Sequence, residues 1–444
     1  MSSTSQLSSS PPSAEKTKQQ RKATLGAFVG TSIEWYDFYI FGTAAALVFG
    51  KLFYPDLAAG AGLIASFATF WVGFIARPIG GLIFSHFGDR FGRKNTLVVT
   101  LLLMGAGTFA IGCLPTYSSI GIAAPILLLL LRAIQGIAVG GEWGGAVVLA
   151  TEGSEHSKRG MAGAWVQQGA PMGSIAATAM FLLVGFLPDH QFLNWGWRIP
   201  FLFSAVMVFV AFYIRRQVEE TPEFQEVQKQ NKVSALPLKV VLKNHWKAVL
   251  AALFAPIMGI GMAFFFNTFL LSWTTGSLGM NRQSILNLLL VASIVQFLWQ
   301  PVAARIAERY SIKMVMISAL CATILLAPLL FWALQSGNFL ALCIATLINY
   351  VTGTAYYALL PAALAAAFPP EVRYTGISTG YQLSAMIFSG SIPMMGQWIL
   401  RITEENAWMV MVYYIILLAM SIAGVVALLR QAHQVRVVHQ ADPN

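Results

Sequence analysis

The stretch VGTSIEWYDFYIFGTAAALVF, residues 29–49, decides the class of fold. Nearly all of it is apolar and bulky, and it is long enough to cross a hydrocarbon core as one helix, which takes about 20 residues. Glu34 and Asp37 nevertheless lie near its middle, where insertion of a charged side chain costs about 2.5–3.5 kcal/mol. Because that placement is unfavourable, we expect the two acids to serve a function.

The rest of the chain has the same apolar character. It has 444 residues, of which 57% are hydrophobic and 10% charged, and its mean hydropathy is +0.66. Soluble domains carry about 25% charged residues, so the repeated long apolar runs indicate a polytopic helical protein in a lipid bilayer. The net charge of +10 is spread over short loops. A nucleic-acid-binding protein would cluster it on one soluble face, so no nucleic-acid partner is predicted.

The apolar runs predict twelve spans, with six on each side of a polar central stretch. The predicted parts are a cytoplasmic N-terminal tail (1–23), a first six-helix bundle (24–216), a cytoplasmic linker (217–246), a second six-helix bundle (247–430) and a cytoplasmic C-terminal tail (431–444). Lys and Arg concentrate in the tails and in the loops on the same side, while the opposite loops hold Lys51, Arg198, Arg282 and Arg401. By the positive-inside rule, both termini are predicted to be cytoplasmic.

The two halves show a weak internal similarity. Arg159 and Gln168 before span 5 have the same spacing as Arg373 and Gln382 before span 11. Parallel six-span repeats suit a transporter that works by alternating access, with its site between the halves.

A family resemblance rests on motifs spread over the whole chain. The loop RPIGGLIFSHFGDRFGRK, residues 77–94, resembles the signature loop of the major facilitator superfamily. Four further segments resemble the metabolite–proton symporter branch of that superfamily: span 4, EWYDF in span 1, WGWRIPF at 195–201 and EVRYTGIS at 371–378. The amino-acid sequence of spans 2 to 4 most resembles that of bacterial shikimate permeases. The resemblance implies an all-α polytopic fold of twelve transmembrane helices in two bundles, an inner-membrane location and proton coupling. It leaves the substrate open, since other branch members carry 2-oxoglutarate, citrate, proline or betaine.

Ionisable residues inside spans are functional candidates by default, and those well inside the spans all fall in the first half. They are Glu34, Asp37, Arg77, Arg132 and Glu142. The two acids of span 1 share one helical face, and burial disfavours the charged form of an acid. We expect Asp37 to carry the coupled proton, with Glu34 as second choice and Glu142 as a further member. The alternative is a structural charge network that holds spans 1, 2 and 4 together.

Arg132 is the leading candidate for binding a substrate carboxylate, because its charge is permanent. Arg77 is a further candidate, although an arginine near a span end can also reach the interface by snorkelling. The other predicted substrate ligands are Tyr36, Gln135, Gln168, Asn267, Tyr356 and Gln382. Glycines beside the polar stripe of span 4, including Gly136 and Gly140, are expected to let a neighbouring helix approach closely.

The signature loop predicts a cytoplasmic gate. A contact between Asp89 and Arg373, or between Asp89 and the N-terminal end of span 11, would exist in only one conformation and would bias the equilibrium. The predicted gating residues are Gly88, Asp89, Arg90, Gly92, Arg93, Lys94 and Arg373. The equivalent loop of the second half, AERYSIK at 307–313, lacks the Asp and Gly of the signature, so the first-half loop is expected to do most of the gating.

These observations favour a secondary transporter and not an enzyme. No nucleophile–base pair stands out, no His/Cys cluster has the spacing of metal ligands, and no P-loop is present, so neither metal nor cofactor is predicted. A channel would need a continuous polar pore formed by both halves, and the lack of charged residues well inside the spans of the second half argues against one. We expect a monomer that imports a small organic acid, such as shikimate or a di- or tricarboxylate, with protons. A zwitterionic osmolyte such as betaine or proline is the alternative substrate, and a non-transporting sensor is a further alternative.

Overall fold

A computed structural model describes residues 14–91, 93–140, 167–216, 237–369 and 372–441. Within these ranges all regular structure is helical, and the helices follow the predicted order of the spans. They are numbered α1 (Ala14–Ala44), α2 (Ala59–Ile75 and Arg77–Phe91), α3 (Arg93–Cys113), α4 (Ala123–Val139), α5 (Gly169–Gly185), α6 (Arg198–Arg216), α7 (Trp246–Phe254, Ile257–Phe264 and Leu271–Gly276), α8 (Arg282–Arg309), α9 (Ile312–Gln335), α10 (Phe339–Ala366), α11 (Arg373–Ile387 and Ile392–Ile402) and α12 (Ala407–Ala441).

Shorter elements extend or connect these helices. They are the helices Gly50–Leu52, Tyr117–Ile120, Asp189–Gln191 and Pro237–Asn244, the 3-10 turn Ser389–Ser391, and the π-helical turns Ala45–Phe49, Phe192–Gly196 and Phe265–Leu270. In the described part, seven helices are long and apolar enough to span a membrane, or eight when the bent pair that ends in α6 is taken as one span. The shorter apolar helices α3, α4 and α5, together with α1, complete the predicted set.

Helix ends differ from the predicted span ends. α1 begins at Ala14, before the expected start at 24, and α12 continues to Ala441, beyond the expected end at 430. The helix Pro237–Asn244 lies within the predicted linker. The reason is that a span prediction follows apolar composition, whereas Lys, Gln and Arg also favour a helix and let it continue past the apolar run.

Glycines bring α2 and α4 into backbone contact. A Cβ atom on Gly136 would run into the carbonyl group of Gly73, and one on Gly140 would run into the carbonyl group of Arg77. These contacts confirm that small residues of span 4 allow close approach of a neighbouring helix. They also bring Arg77 of α2 close to the helix that carries Arg132.

The two halves pack together along α1 and α7, α2 and α11, and α5 and α8. Phe264 of α7 is inserted against the first half, with its ring centroid 5.9 Å from that of Trp35 in α1 and 5.1 Å from that of Phe74 in α2. The indole N–H of Trp71 in α2 donates to the carbonyl of Met386 in α11, at 2.6 Å. The seam between the halves is therefore filled by aromatic side chains.

Candidate functional site

Glu34 of α1 and Arg77 of α2 form a buried ion pair. Arg77 Nη2 lies 3.3 Å from Glu34 Oε1, and the two side chains are 2% and 3% exposed. The guanidinium Cζ also lies 4.2 Å from the ring centre of Phe38 and 4.8 Å from that of Phe74. Removing one partner of a buried pair leaves an uncompensated charge and costs about 3–5 kcal/mol, so each charge of the pair needs the other or a replacement.

Arg132 of α4 is fully buried and is held by neutral groups. Its Nε donates to the carbonyl of Phe70 at 3.3 Å, and its Nη1 donates to Oε1 of Gln135 at 3.2 Å. Its Cζ lies 4.3 Å from the ring centres of both Phe38 and Phe41. Gly73 of α2 leaves room for the guanidinium, because a Cβ atom there would contact it. The structure therefore places this charge inside the first half.

Asp37 reaches Arg132 through two intermediate side chains. The Thr108 hydroxyl in α3 lies 2.7 Å from Asp37 Oδ2, and Gln135 Nε2 donates to Thr108 Oγ at 2.6 Å. The result is a continuous hydrogen-bonded series Asp37–Thr108–Gln135–Arg132, here called the polar chain. Its residues come from α1, α3 and α4, so it connects three helices of one half.

The structure thus brings five of the predicted residues into one region but gives the two acids different partners. Glu34 makes a direct ion pair with Arg77, whereas Asp37 is linked to Arg132 by the polar chain. The Glu34–Arg77 pair also interacts electrostatically with Tyr357 of α10. It therefore faces the second half, while the polar chain lies within the first. Glu142 lies outside the described residues.

A small cavity of about 10 Å³ lies between the halves, which is the space of roughly one water molecule. Its lining comprises Trp35, Tyr39, Ala170, Gly259, Met262, Ala263, Gln296, Tyr350, Gly353, Thr354 and Tyr357. None of these described residues is charged. Ligand pockets for small molecules measure about 300–1,000 Å³, so the halves are closed around a space too small for a metabolite.

A second group of polar side chains lies beside this cavity. Asn267 of α7 donates to the Tyr350 hydroxyl at 3.0 Å and accepts from Ser174 of α5 at 3.3 Å. Ser174 in turn lies 2.8 Å from Ser293 of α8. This cluster crosses from the first half to the second, and of its members the sequence predicted only Asn267.

Of the remaining predicted substrate ligands, Gln382 makes a contact between the halves, whereas Tyr36 and Tyr356 each make a contact within one half. The Tyr36 hydroxyl donates to the Pro200 carbonyl at 2.7 Å, and the Tyr356 hydroxyl to the Ala255 carbonyl at 3.3 Å. Gln382 of α11 donates across the seam to the Gly140 carbonyl at 3.4 Å. Gln168 is buried, and neither of its amide atoms has a hydrogen-bond partner among the described residues. Oε1 of Gln382 also has no partner there, so both glutamines keep unused hydrogen-bonding capacity.

The gating prediction falls mostly outside the described part. The structure does not describe Gly92, and it describes only the helical backbone of the other gating residues of the signature loop. These are Gly88, Asp89, Arg90, Arg93 and Lys94. Arg373 donates from Nε to the Phe368 carbonyl at 3.3 Å, at the start of α11. The contact between the signature loop and α11 therefore stays a prediction.

Contacts that the sequence did not predict close the opposite end of α5 and α8. Arg282 of α8 pairs with Asp189 at 3.1 Å and also donates to the Gly185 carbonyl at 3.2 Å. Gln283 donates to the Leu182 carbonyl at 3.1 Å. Arg282 lies in a short loop, so the sequence indicated only that its charge contributes to the orientation of the chain in the membrane. Its contacts with Asp189 and Gly185 of the first half show that it also joins the two halves.

The aromatic lining and the hydroxyl links were also missed. Trp35, Thr108, Ser174 and Tyr350 lie in apolar runs, where such residues most often pack or bond to their own helix. The available signal for Trp35 was its place in EWYDF, between the two acids. For Thr108 and Ser174 no sequence signal separates a bridging hydroxyl from one that bonds the preceding turn.

Comparison with known proteins identifies the family. The model of the Major Facilitator Superfamily matches residues 27–375. The chain is 36% identical to a shikimate transporter of Escherichia coli over 93% of this chain and 95% of that protein. It is 32% identical to a glycine betaine/proline/ectoine/pipecolic acid transporter of Dickeya dadantii, over 90% of this chain and 81% of that protein.

Solved structures agree on the fold. A crystal structure of a D-xylose–proton symporter superposes with a TM-score of 0.70 at 16% identity, covering 92% of this chain and 97% of that chain. A partially occluded, inward-open conformation of the xylose transporter from Escherichia coli gives a TM-score of 0.71 at 14% identity, with the same coverage. The predicted all-α transporter fold is confirmed. The chain therefore belongs to the major facilitator superfamily, and it is a multi-pass membrane transporter and not an enzyme.

Proposed function

We propose that this transporter imports a small organic acid, such as shikimate or a di- or tricarboxylate, together with protons. The buried acids and arginines of the first half support the proposal, and so does the similarity to a shikimate transporter. The proposed location is the bacterial inner membrane with both termini cytoplasmic, as the distribution of Lys and Arg favours. Because the whole pathway lies between the halves of one chain, a monomer suffices.

The observation that carries the proposal is the Glu34–Arg77 ion pair, buried at the side of the first half that faces Tyr357. When Glu34 takes up a proton, Arg77 loses its counter-ion and needs another anion. A substrate carboxylate then replaces the Glu34 carboxylate. Proton binding and anion binding favour each other by the same factor in both directions, which is the thermodynamic requirement of symport.

The other candidate residues act around this step in the proposal. Asp37 is the first choice for the residue that carries the coupled proton, and Glu34, whose protonation frees Arg77 for the substrate, is the second choice. Asn267 and Gln382, which form hydrogen bonds across the seam, and Gln168, whose amide atoms have no partner among the described residues, bind substrate once the halves separate. The signature loop from Gly88 to Lys94 closes the cytoplasmic end with Arg373.

Uptake into proteoliposomes tests this function. Liposomes with an alkaline interior should accumulate labelled shikimate, citrate or 2-oxoglutarate above the external concentration, and a protonophore should abolish the accumulation. Glu34→Gln should keep exchange of internal for external substrate but lose accumulation driven by the pH gradient. Concentrative uptake that persists in this variant, or that ignores the pH gradient in the wild type, would contradict proton symport through Glu34.

A zwitterionic osmolyte is the second candidate substrate, because aromatic rings line the cavity. Trp35, Tyr39, Tyr350 and Tyr357 surround it, without a described cationic side chain. Faces of aromatic rings attract quaternary ammonium groups, and a relative transports betaine and proline. Competition between unlabelled betaine and labelled shikimate separates the two candidates. A protein that transports none of these compounds would fit the sensor alternative.

A further inference from the structure

Thr108 has more hydrogen-bond partners than one hydroxyl proton can serve. Its Oγ lies 2.7 Å from Asp37 Oδ2, 3.0 Å from the Met104 carbonyl oxygen and 2.6 Å from Gln135 Nε2. The three side chains are at most 1% exposed. A hydroxyl donates one hydrogen bond and accepts two, so the Thr108 proton points either to Asp37 or to Met104.

Arg132 determines the direction of the bonds in the polar chain. A guanidinium group only donates, so the Gln135 group that faces Arg132 Nη1 at 3.2 Å must be the carbonyl oxygen. The amide nitrogen of Gln135 must then face Thr108, where it donates. One lone pair of Thr108 is occupied in this way, and one lone pair and the proton remain for Asp37 and Met104.

We propose that Thr108 is a positioning residue that reverses its hydrogen bond with Asp37 whenever Asp37 gains or loses a proton. The ionised carboxylate accepts the Thr108 proton. The protonated carboxyl group instead donates from Oδ2 to the second lone pair of Thr108, and the hydroxyl rotates to donate to the Met104 carbonyl. Thr108 makes two hydrogen bonds when Asp37 is ionised and three when Asp37 is protonated, and in both states its proton has an acceptor. The inference rests on the proposed proton symport.

The surroundings of Asp37 direct the proton to Oδ2. Oδ1 is buried and has no partner among the described residues, so a proton there would have no acceptor. The charged groups that act on Asp37 are Glu34 of its own helix and Arg132 of α4, and Arg77 of α2 acts on Arg132. In the described parts of α5, α6 and α7, which also border α1, no charged group acts on Asp37. Thr108 is thus the described side chain that can serve both forms.

Infrared spectroscopy of the full-length purified protein tests the reversal without any substrate. The carbonyl band of a protonated carboxyl group is followed during a pH titration, and the Asp37 contribution is identified by its absence in Asp37→Asn. Thr108→Val keeps the shape of the side chain and removes the hydroxyl, whereas Thr108→Ser keeps the hydroxyl. Thr323→Val is the matched control, because the Thr323 hydroxyl is buried and also donates to its preceding turn, at 2.9 Å from the Ala319 carbonyl oxygen.

The Asp37 band in Thr108→Val should change frequency, and its titration midpoint should move by about one pH unit towards higher pH. The reason is that a hydrogen bond to an ionised group is the stronger one, so its loss affects the ionised form more. Thr108→Ser should restore the wild-type values, and Thr323→Val should leave them unchanged.

Two results would overturn the inference: an Asp37 band with the same frequency and midpoint in Thr108→Val, or no Asp37-dependent band at any pH. Neither result depends on uptake. The proteoliposome experiment therefore tests the proposed symport separately from this inference.

Discussion

The ring of Phe38 contacts both buried arginines. The Cζ atom of Arg77 lies 4.2 Å from its centre, and that of Arg132 lies 4.3 Å away. Both guanidinium groups stay charged in a protein, so the two positive charges repel each other. The aromatic ring attracts each of them and supplies part of the stabilisation that water would give.

Replacing Phe38 by Leu should therefore destabilise the protein beyond the effect of a smaller side chain. The matched control is Phe67→Leu. Phe67 of α2 is buried like Phe38, and no arginine lies over its ring in the described part. We expect Phe38→Leu to lower the free energy of unfolding by at least about 2 kcal/mol more than the control, since a desolvated cation–π contact contributes about 2 kcal/mol or more. Thermal unfolding in detergent measures the difference. Equal losses in the two variants would mean that the ring face does not stabilise the arginines.

At the scale of elements, α1 and α7 meet where each departs from regular α-helix. The π-helical turn Ala45–Phe49 follows α1, the π-helical turn Phe265–Leu270 interrupts α7, and the two turns are in contact. Just before the first turn, Gly42 lies against Thr268, and a Cβ atom on Gly42 would run into the threonine hydroxyl. Because π-helical turns often occur at functional sites and at bends, this crossing is suited to movement of one half against the other.

The variant Gly42→Ala should separate the halves at this end, because the added methyl group would overlap the hydroxyl of the buried Thr268, so the two helices must move apart to make room. Spin labels on Leu57→Cys and Leu278→Cys, in a protein without native cysteines, would report a longer distance than in the parent. Gly276→Ala is the control, since a Cβ atom there meets no other atom within 4 Å. An unchanged distance distribution in Gly42→Ala would show that the glycine is not needed for closure.

At the scale of the whole molecule, Arg282 joins the halves through three different contacts. Besides Asp189 and the Gly185 carbonyl, its Cζ lies 4.2 Å from the ring centre of Phe192. The Asp189 side chain is 86% exposed, and an exposed ion pair contributes about 0–1 kcal/mol. The carbonyl and ring contacts of Arg282 therefore stabilise this closed end more than its ion pair with Asp189 does.

Removing the Arg282 side chain should favour opening at this end more than removing the Asp189 charge. A cysteine at cavity residue Gln296 reports opening through its rate of reaction with a membrane-impermeant maleimide. Asp189→Asn should raise that rate by about fivefold or less, the equivalent of 1 kcal/mol, and Arg282→Gln should raise it more. Arg305→Gln, at the other end of α8, is the control. The interpretation is wrong if the two variants have equal effects.

The sequence predicts the order of the helices well, because each span is a long apolar run between basic loops. It also predicts that Glu34, Asp37, Arg77 and Arg132 lie together, since ionisable residues in spans must find partners. It does not predict that Arg132 is held by the Phe70 carbonyl and by rings. Such partners are backbone or apolar groups from distant helices, and neither leaves a pattern in one sequence.

The buried Glu34–Arg77 pair has an electrical consequence. In the empty carrier the arginine is balanced by Glu34, and in the loaded carrier of the proposed cycle it is balanced by the substrate while Glu34 is neutral. The site then carries the same net charge in both forms. A monoanion that enters with one proton would therefore cross electroneutrally and would not respond to the membrane potential. A zwitterion with one proton would carry one positive charge and gain about 2.3 kcal/mol per 100 mV.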